Sequence, residues 1–181
     1  MDQPELPQPI ATLVDHLATL PNVVAVTLRG SRLKGTELAD RDWDLGLYYH
    51  GEFDPQGISH VEGTATAPGD WGRIMNGGAR LIVDGIEVDV HYRDVDEVRH
   101  WIREARDGRF EVDGVPGNLA GLPTYTLAAV VAQDQLLPAH STTSLNTLID
   151  SPKKAPPAGS TTPRPAWIMR AGRRRAATWP A

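Results

Sequence analysis

The chain has 181 residues, 23 of them acidic and 18 basic, and it contains no cysteine. This length suits one domain of ordinary size, and the lack of cysteine excludes disulfides and thiolate metal sites. No apolar run approaches the roughly 20 residues of a membrane span, and the N-terminus is acidic and rich in proline. We therefore expect a cytoplasmic protein that carries no secretory signal and has no membrane partner.

Charge is divided unevenly along the chain. All 23 acidic side chains lie in residues 1–150, whereas residues 151–181 contain seven of the 18 Lys and Arg side chains and no acid. An acidic body does not favour nucleic-acid binding, because phosphate contacts need positive surface. The segment 151–181 lacks an apolar period, which is typical of a disordered basic tail. The alternative is an arm that binds nucleic acid or a partner protein through Arg173–Arg175.

The first part of the chain alternates helical and strand patterns. Apolar residues at spacings of three and four predict a helix over residues 6–20. A short β-branched run predicts a buried strand at 23–28. A short helix is predicted at 31–38 and a strand at 43–49, whose side chains alternate between the two faces of a sheet.

The middle of the chain contains a hairpin pattern. Residues 50–70 are rich in Gly, Pro, Asp and Thr, and they predict a loop, either with or without one short helix. Two apolar runs, 80–83 and 86–92, flank Asp84-Gly85. This dipeptide supplies the positive φ angles of a type I′ turn, so the segment predicts a β-hairpin.

Two helices are predicted after the hairpin. Asp94 resembles an N-cap, with an acidic residue three positions on, and opens an amphipathic pattern that ends near Gly108. The apolar run at 125–137 predicts a second helix, which Pro138 terminates.

Three carboxylates are arranged as a two-metal site requires. Asp42 and Asp44 are two positions apart and project to the same face of their strand. Asp89 adds a third carboxylate if its strand lies next to theirs. Mg²⁺ prefers hard oxygen ligands, and two such ions can activate an attacking hydroxyl and stabilise leaving pyrophosphate. Gly30 lets the backbone approach a phosphate, and Ser31 offers a hydroxyl and free N–H groups at a helix start.

This pattern resembles a known family. Gly30-Ser31, then Asp42-Trp43-Asp44, then Asp89 between two valines, is similar to the signature of the DNA polymerase beta nucleotidyltransferase superfamily. The string GSRLKGTELADRDWDLGLYY, with Asn76-Gly77-Gly78 downstream, resembles bacterial stand-alone nucleotidyltransferase-domain proteins in particular. The resemblance covers roughly residues 5–137.

The resemblance implies a fold and a domain division. We expect an α+β protein with a nucleotidyltransferase-like mixed β-sheet flanked by helices over residues 1–137. Residues 138–181 are then a linker and a disordered basic tail. Larger members of the superfamily continue into a helical C-terminal domain that shapes the acceptor site, and in this chain the basic tail takes its place. We expect the acceptor half of the site to lie beyond residue 110.

The resemblance also implies an activity, in which a nucleoside monophosphate is transferred from an NTP to a hydroxyl acceptor with release of pyrophosphate. Asp42 and Asp44 are expected to bind two Mg²⁺ ions, and Asp89 the catalytic ion, where it helps to deprotonate the acceptor. Gly30 and Ser31 are expected to hold the triphosphate. The acceptor is a small molecule, such as an aminoglycoside, or a protein side chain.

Several assignments have alternatives. Glu87 shares a predicted face with Asp89, although the flanking valines favour Asp89 as the ligand. His91 lies on the same face and either contacts the substrate or is a hydrogen-bonded strand residue. Arg32 and Lys34 either neutralise phosphates or face solvent. Asn76-Gly77-Gly78 is either a close approach to a ligand or a plain turn, and Trp43 is expected in the core.

Two other functions remain open at this point. One is a non-catalytic nucleotide-binding module with the same fold. The other is an antitoxin-like protein that modifies or masks a partner protein. A template-dependent polymerase is not expected, because the acidic body offers no surface for a nucleic-acid duplex.

Overall fold

The computed structural model describes residues 5–30, 42–58, 61–115, 117–137 and 144–150. In chain order, the elements are α1 (Gln8–Thr19), β1 (Val23–Arg29), β2 (Trp43–Tyr49), β3 (Glu62–Ala65), α2 (Gly72–Met75), β4 (Gly78–Val83), β5 (Ile86–Asp94), α3 (Val95–Arg106), β6 (Val112–Val115), β7 (Asn118–Pro123), α4 (Thr126–Gln133), β8 (Gln135–Leu136) and α5 (Leu145–Asp150). Within the described residues, one 3₁₀ turn, Pro55–Ile58, lies between β2 and β3.

Six of the described strands form one mixed sheet in the order β3-β4-β5-β2-β1-β8. Strands β2 and β5 pair in parallel, and the other neighbours in this sheet are antiparallel. Strands β6 and β7 form a separate antiparallel ribbon. Helices flank the large sheet, so the predicted α+β class with a mixed sheet is confirmed.

The first core lies between α1 and one face of the sheet. The stripe of α1 that was predicted from spacing is buried, and it packs against alternate residues of β1, β2, β4 and β5. The fully or nearly fully buried residues of this first core include Ile10, Leu17, Leu28, Leu45, Leu47, Val88 and Val90. The predicted alternation therefore holds: the apolar set of each strand faces this core, and Trp43 belongs to it as expected.

The second core lies on the opposite face and covers only part of it. Helices α3, α4 and α5 bury Tyr48 and Ala25 of the sheet. Arg93 of β5 is also buried there, and its Nη1 donates to the carbonyl oxygens of Met75 and Tyr92 at 3.1 and 2.9 Å, which ties α2 to β5. Further along the same face, side chains of β2 and β5 remain partly exposed.

Turn and cap chemistry agrees with the sequence at two places. Asp84 and Gly85 have φ angles of 50° and 78°, as the predicted hairpin turn requires. The Asp94 carboxylate caps α3 by accepting a hydrogen bond from Asp96 N at 2.8 Å. Asn76 has a structural role as well: its Nδ2 donates to the Tyr49 hydroxyl at 2.6 Å and its Oδ1 accepts from Gly69 N.

Several parts of the fold differ from the sequence prediction. The predicted loop at 50–70 contains the edge strand β3. The predicted helix at 125–137 was wrong at its C-terminal end, because α4 ends at Gln133 and β8 then pairs with β1. Within the segment assigned to the linker, α5 contributes the buried side chains of Leu145 and Ile149 to the second core.

Two other predictions lie outside the described residues. These are the short helix at 31–38 and the basic tail at 151–181. Among the described helices, none combines the length and the apolar character that crossing a membrane would require.

Candidate active site

Strand register brings a row of charged side chains together on the partly exposed face of the sheet. Thr64 of β3 is opposite Arg80 of β4, which is opposite Asp89 of β5. Asp89 is in turn the parallel partner of Asp44 on β2, and Asp44 is opposite Arg29 of β1. Residues directly opposite each other share a face, so the row places two carboxylates side by side between two arginines.

The two carboxylates are accessible but partly desolvated. The Asp44 side chain is 35 % exposed and the Asp89 side chain 23 % exposed. Burial raises the pKa of Asp44 above its ordinary value, and repulsion by Asp42 and Asp89 acts in the same direction, while Arg29 lowers it. Asp42 and Asp89 are therefore both close enough to Asp44 to act on its carboxylate electrostatically.

Register distinguishes the two acidic candidates on β5. Asp89 lies opposite Asp44, whereas Glu87 lies two positions away, opposite Ile82 of β4, and is exposed. Only Asp89 is therefore placed beside Asp44, as the sequence favoured.

Gly30 meets the carboxylate of Asp44 directly. It has a φ of 81°, a conformation that L side chains rarely adopt. A Cβ at this position would also overlap Oδ2 of Asp44. Glycine is thus required twice, once for the turn and once for the close approach to Asp44. Ser31, Arg32 and Lys34, the other predicted triphosphate ligands, lie outside the described residues.

Asp89 is already paired with a basic side chain. Arg80 Nε lies 3.1 Å from Asp89 Oδ1 and Arg80 Nη2 lies 3.4 Å from Oδ2, which is a bidentate arrangement. The Arg80 side chain is 69 % exposed. An exposed ion pair of this kind contributes little to stability.

His91 borders the carboxylates. It follows Asp89 on the same face of β5, and its Nε2 lies 4.0 Å from Asp44 Oδ1. Burial lowers the pKa of His91 to about 4, and the nearby arginines Arg93 and Arg29 act in the same direction. The imidazole is therefore neutral at neutral pH, and its ring also lies 6.3 Å from the Trp71 ring, centroid to centroid.

A buried polar cluster lies beside the row, on the same face of the sheet, and was not predicted from the sequence. The Asp134 side chain, which is 0 % exposed, pairs with Arg29, whose Nε lies 3.0 Å from Asp134 Oδ1. Tyr48 and Thr27 donate hydrogen bonds to Asp134 Oδ2 at 2.6 and 3.1 Å. Gly46 leaves room for the cluster, because a Cβ there would lie 3.0 Å from Asp134 Oδ2.

Little in the sequence indicated this cluster. The one available signal was a lone carboxylate, Asp134, at the end of an otherwise apolar helical run. Its partner Arg29 was not assigned a role, since the two residues are far apart in the chain.

The carboxylates suit a divalent cation in their chemistry, although they do not form a complete cage. Within the described ranges, no three His, Asp or Glu side chains are grouped closely enough to hold a metal ion. The available donors are carboxylate oxygens on neighbouring strands, which are the ligands that Mg²⁺ prefers, and substrate phosphates and waters usually complete its shell. Asp42 and Asp89 repel the negative charge of Asp44, and a bound cation would relieve that repulsion. Asp89 can join such a set once Arg80 moves away.

Comparison with known proteins identifies no family for this chain. A scan against protein-family models found no match. A search of curated proteins also found no similar sequence.

Proposed function

We propose that this protein is an Mg²⁺-dependent nucleotidyltransferase with a nucleotidyltransferase-like sheet, acting on an NTP and a hydroxyl acceptor. One observation carries the proposal: the parallel register of β2 and β5 sets Asp44 beside Asp89, with Gly30 packed against the Asp44 carboxylate. Paired carboxylates next to a glycine turn form a donor site in which metal-bound phosphates can approach the backbone.

The proposed reaction gives each group a role. An acceptor hydroxyl oxygen forms a bond to the α-phosphorus of the NTP, the bond from that phosphorus to the bridging oxygen breaks, and pyrophosphate leaves. Asp89 accepts the hydroxyl proton and passes it to solvent. Asp42, Asp44 and Asp89 would hold the metal, and Gly30 and Ser31 would bind the triphosphate. Bound Mg²⁺ would neutralise phosphate charge and lower the pKa of the attacking hydroxyl.

A second candidate is a nucleotide-binding module without catalysis. The ion pair between Arg80 and Asp89 favours it, because that pair already neutralises the carboxylate that the reaction requires. The two candidates differ in one measurable step, since both bind Mg²⁺·NTP but only the enzyme releases pyrophosphate.

The test compares Asp44→Asn with Asp84→Asn. Asp84 occupies the exposed hairpin turn, where Asn-Gly is as suitable as Asp-Gly, so this variant controls for loss of a carboxylate elsewhere. We expect Mg²⁺-dependent pyrophosphate release by the wild type and by Asp84→Asn, and a loss of about 10²-fold or more in Asp44→Asn. Thermal unfolding shows whether each variant is folded.

Three outcomes are informative. Unchanged turnover in folded Asp44→Asn contradicts the nucleotidyltransferase assignment. Calorimetric binding of Mg²⁺·ATP without pyrophosphate release, with or without acceptors, supports the binding module instead. Failure to bind any Mg²⁺·NTP contradicts both candidates.

A further inference from the structure

A cavity opens on the face that carries the carboxylates, next to Asp89. Its volume is about 250 Å³, and strands β3, β4 and β5 contribute to its lining. Asp89 and His91 line it from β5, Arg80 from β4 and Thr64 from β3, while Trp71 lines it from the segment before α2. The cavity is therefore lined by Asp89, the residue that accepts the proton of the acceptor hydroxyl in the proposed reaction.

One wall of the cavity is aromatic and packs on strand β4. The Trp71 indole packs over the backbone of Gly78, where a Cβ would lie 2.8 and 2.9 Å from two carbons of the ring. Only glycine at this position of β4 lets the indole lie so close to the strand. The Trp71 and His91 rings meet at an angle of 64°, so aromatic and polar groups line the same space.

The remaining lining is polar and balanced in charge. Asp89 provides a carboxylate, Arg80 a guanidinium that pairs with it, and Thr64 a hydroxyl group. Arg80 and Asp89 contribute one charge of each sign to the lining, which favours an uncharged ligand with several hydrogen-bonding groups. Such a mixture of one aromatic surface and a few placed polar groups is typical of small-molecule sites.

The size of the cavity limits the ligand. A cavity of about 250 Å³ can enclose one substituted six-membered ring, and further linked rings would extend outside it.

We infer that this cavity is the acceptor site and that the acceptor is a single hydroxyl-bearing ring of monosaccharide size. Trp71 contacts the apolar face of the ring, and Asp89 accepts a hydrogen bond from the hydroxyl that attacks the α-phosphorus. The inference rests on the proposed function and names its acceptor. The proposed acceptor site lies among the strands between Thr64 and His91, whereas the sequence led us to expect it beyond residue 110.

The test separates acceptor binding from donor chemistry. Glucose and myo-inositol serve as single-ring probes, maltose and kanamycin as linked-ring probes, and tyrosine amide as a protein-like probe. Binding to the full chain is measured by saturation-transfer NMR, and acceptor-stimulated pyrophosphate release is measured with Mg²⁺·ATP. Trp71→Ala is compared with Trp71→Phe, which keeps an aromatic wall, and with Glu62→Ala, a change at an exposed β3 residue that does not line the cavity.

We expect at least one single-ring probe to bind and to stimulate pyrophosphate release. Trp71→Ala should raise its KM about tenfold, with the KM for ATP unchanged and partial recovery in Trp71→Phe. Glu62→Ala should behave as the wild type.

Other results would overturn the inference. Stimulation by kanamycin or tyrosine amide alone, or single-ring binding that is indifferent to Trp71→Ala, contradicts it while leaving the nucleotidyltransferase proposal intact. Failure to bind Mg²⁺·ATP contradicts the proposed function. If a single-ring probe still binds in that case, the cavity is not an acceptor site.

Discussion

Gly30 and Asp44 are the two residues whose contact does most to define the site. The glycine adopts a left-handed backbone conformation, and its α-carbon faces the carboxylate oxygen of Asp44. Any side chain at position 30 would therefore act on backbone strain and on the position of Asp44 together. The two effects can be separated, because Gly51 has a similar φ of 72° with no atom within 4 Å of a Cβ built there.

We predict that Gly30→Ala and Gly51→Ala both lose stability but that only Gly30→Ala weakens nucleotide binding. Each variant places a side chain in left-handed backbone, which costs about 1–2 kcal/mol. Only Gly30→Ala also displaces the Asp44 carboxylate. Urea denaturation should show the shared loss, and calorimetry with Mg²⁺·ATP should show weakened binding in Gly30→Ala alone. Wild-type binding by Gly30→Ala would contradict the role given to this contact.

At the scale of single elements, α3 depends on a cap that titrates. Asp94 is the last residue of β5 and the N-cap of α3, and its carboxylate accepts a hydrogen bond from Asp96 N. Burial raises the pKa of Asp94 from an ordinary 3.8 to about 6, with repulsion by Asp96 and Glu97 acting in the same direction and the cap hydrogen bond opposing it. The folded protein therefore binds the Asp94 proton more tightly than the unfolded chain does.

This pKa gives stability a defined pH dependence. The contribution of Asp94 is fully present below about pH 4 and is lost as the pH rises through about 6, because the unfolded chain releases the proton first. Asp94→Asn keeps an oxygen acceptor for the cap but does not titrate. We predict that the wild type loses stability relative to Asp94→Asn between pH 4 and pH 7 in urea denaturation series. If the free energies of unfolding of the two proteins changed with pH in parallel, the raised pKa assigned to Asp94 would be contradicted.

At the scale of the whole molecule, the buried cluster around Asp134 connects the β8 edge of the large sheet to β1 and β2. Asp134 joins the end of α4 to β8, and its partners Thr27 and Tyr48 lie 107 and 86 residues earlier in the chain. Arg29, the third partner, is one end of the row that includes Asp44 and Asp89. The cluster therefore links the last strand of the sheet to the strand that carries Gly30 into the site.

We predict that Asp134→Asn destabilises the whole protein by about 3 kcal/mol, because it leaves the Arg29 guanidinium without its buried counter-charge. Gln133→Ala, an exposed change at the neighbouring position, should alter stability by about 0.5 kcal/mol or less. Urea denaturation monitored by circular dichroism measures both effects. A loss in Asp134→Asn no larger than in Gln133→Ala would show that the cluster is not a global link.

Local patterns accounted for much of the architecture. The spacing of Ile10 and Leu17, the alternation along β2 and β5, and the Asp84-Gly85 turn each depend on neighbours in the chain, so they could be predicted from it. The edge strand β3 and the two-residue β8 could not, because each is defined by hydrogen bonds to a distant strand. For the same reason, the predicted helix ran past Gln133 into residues that pair with β1.

The candidate site divides in the same way. The sequence by itself determined the carboxylates Asp42, Asp44 and Asp89, the glycine turn at Gly30, and the face on which each strand residue lies, since these follow from residue type and a period of two. Tertiary structure alone decided that Asp89 stands beside Asp44, that Asp134 holds Arg29, and that Trp71 walls a cavity next to the carboxylates. Register between distant strands is set by packing across the whole sheet, and no local segment of the chain encodes it.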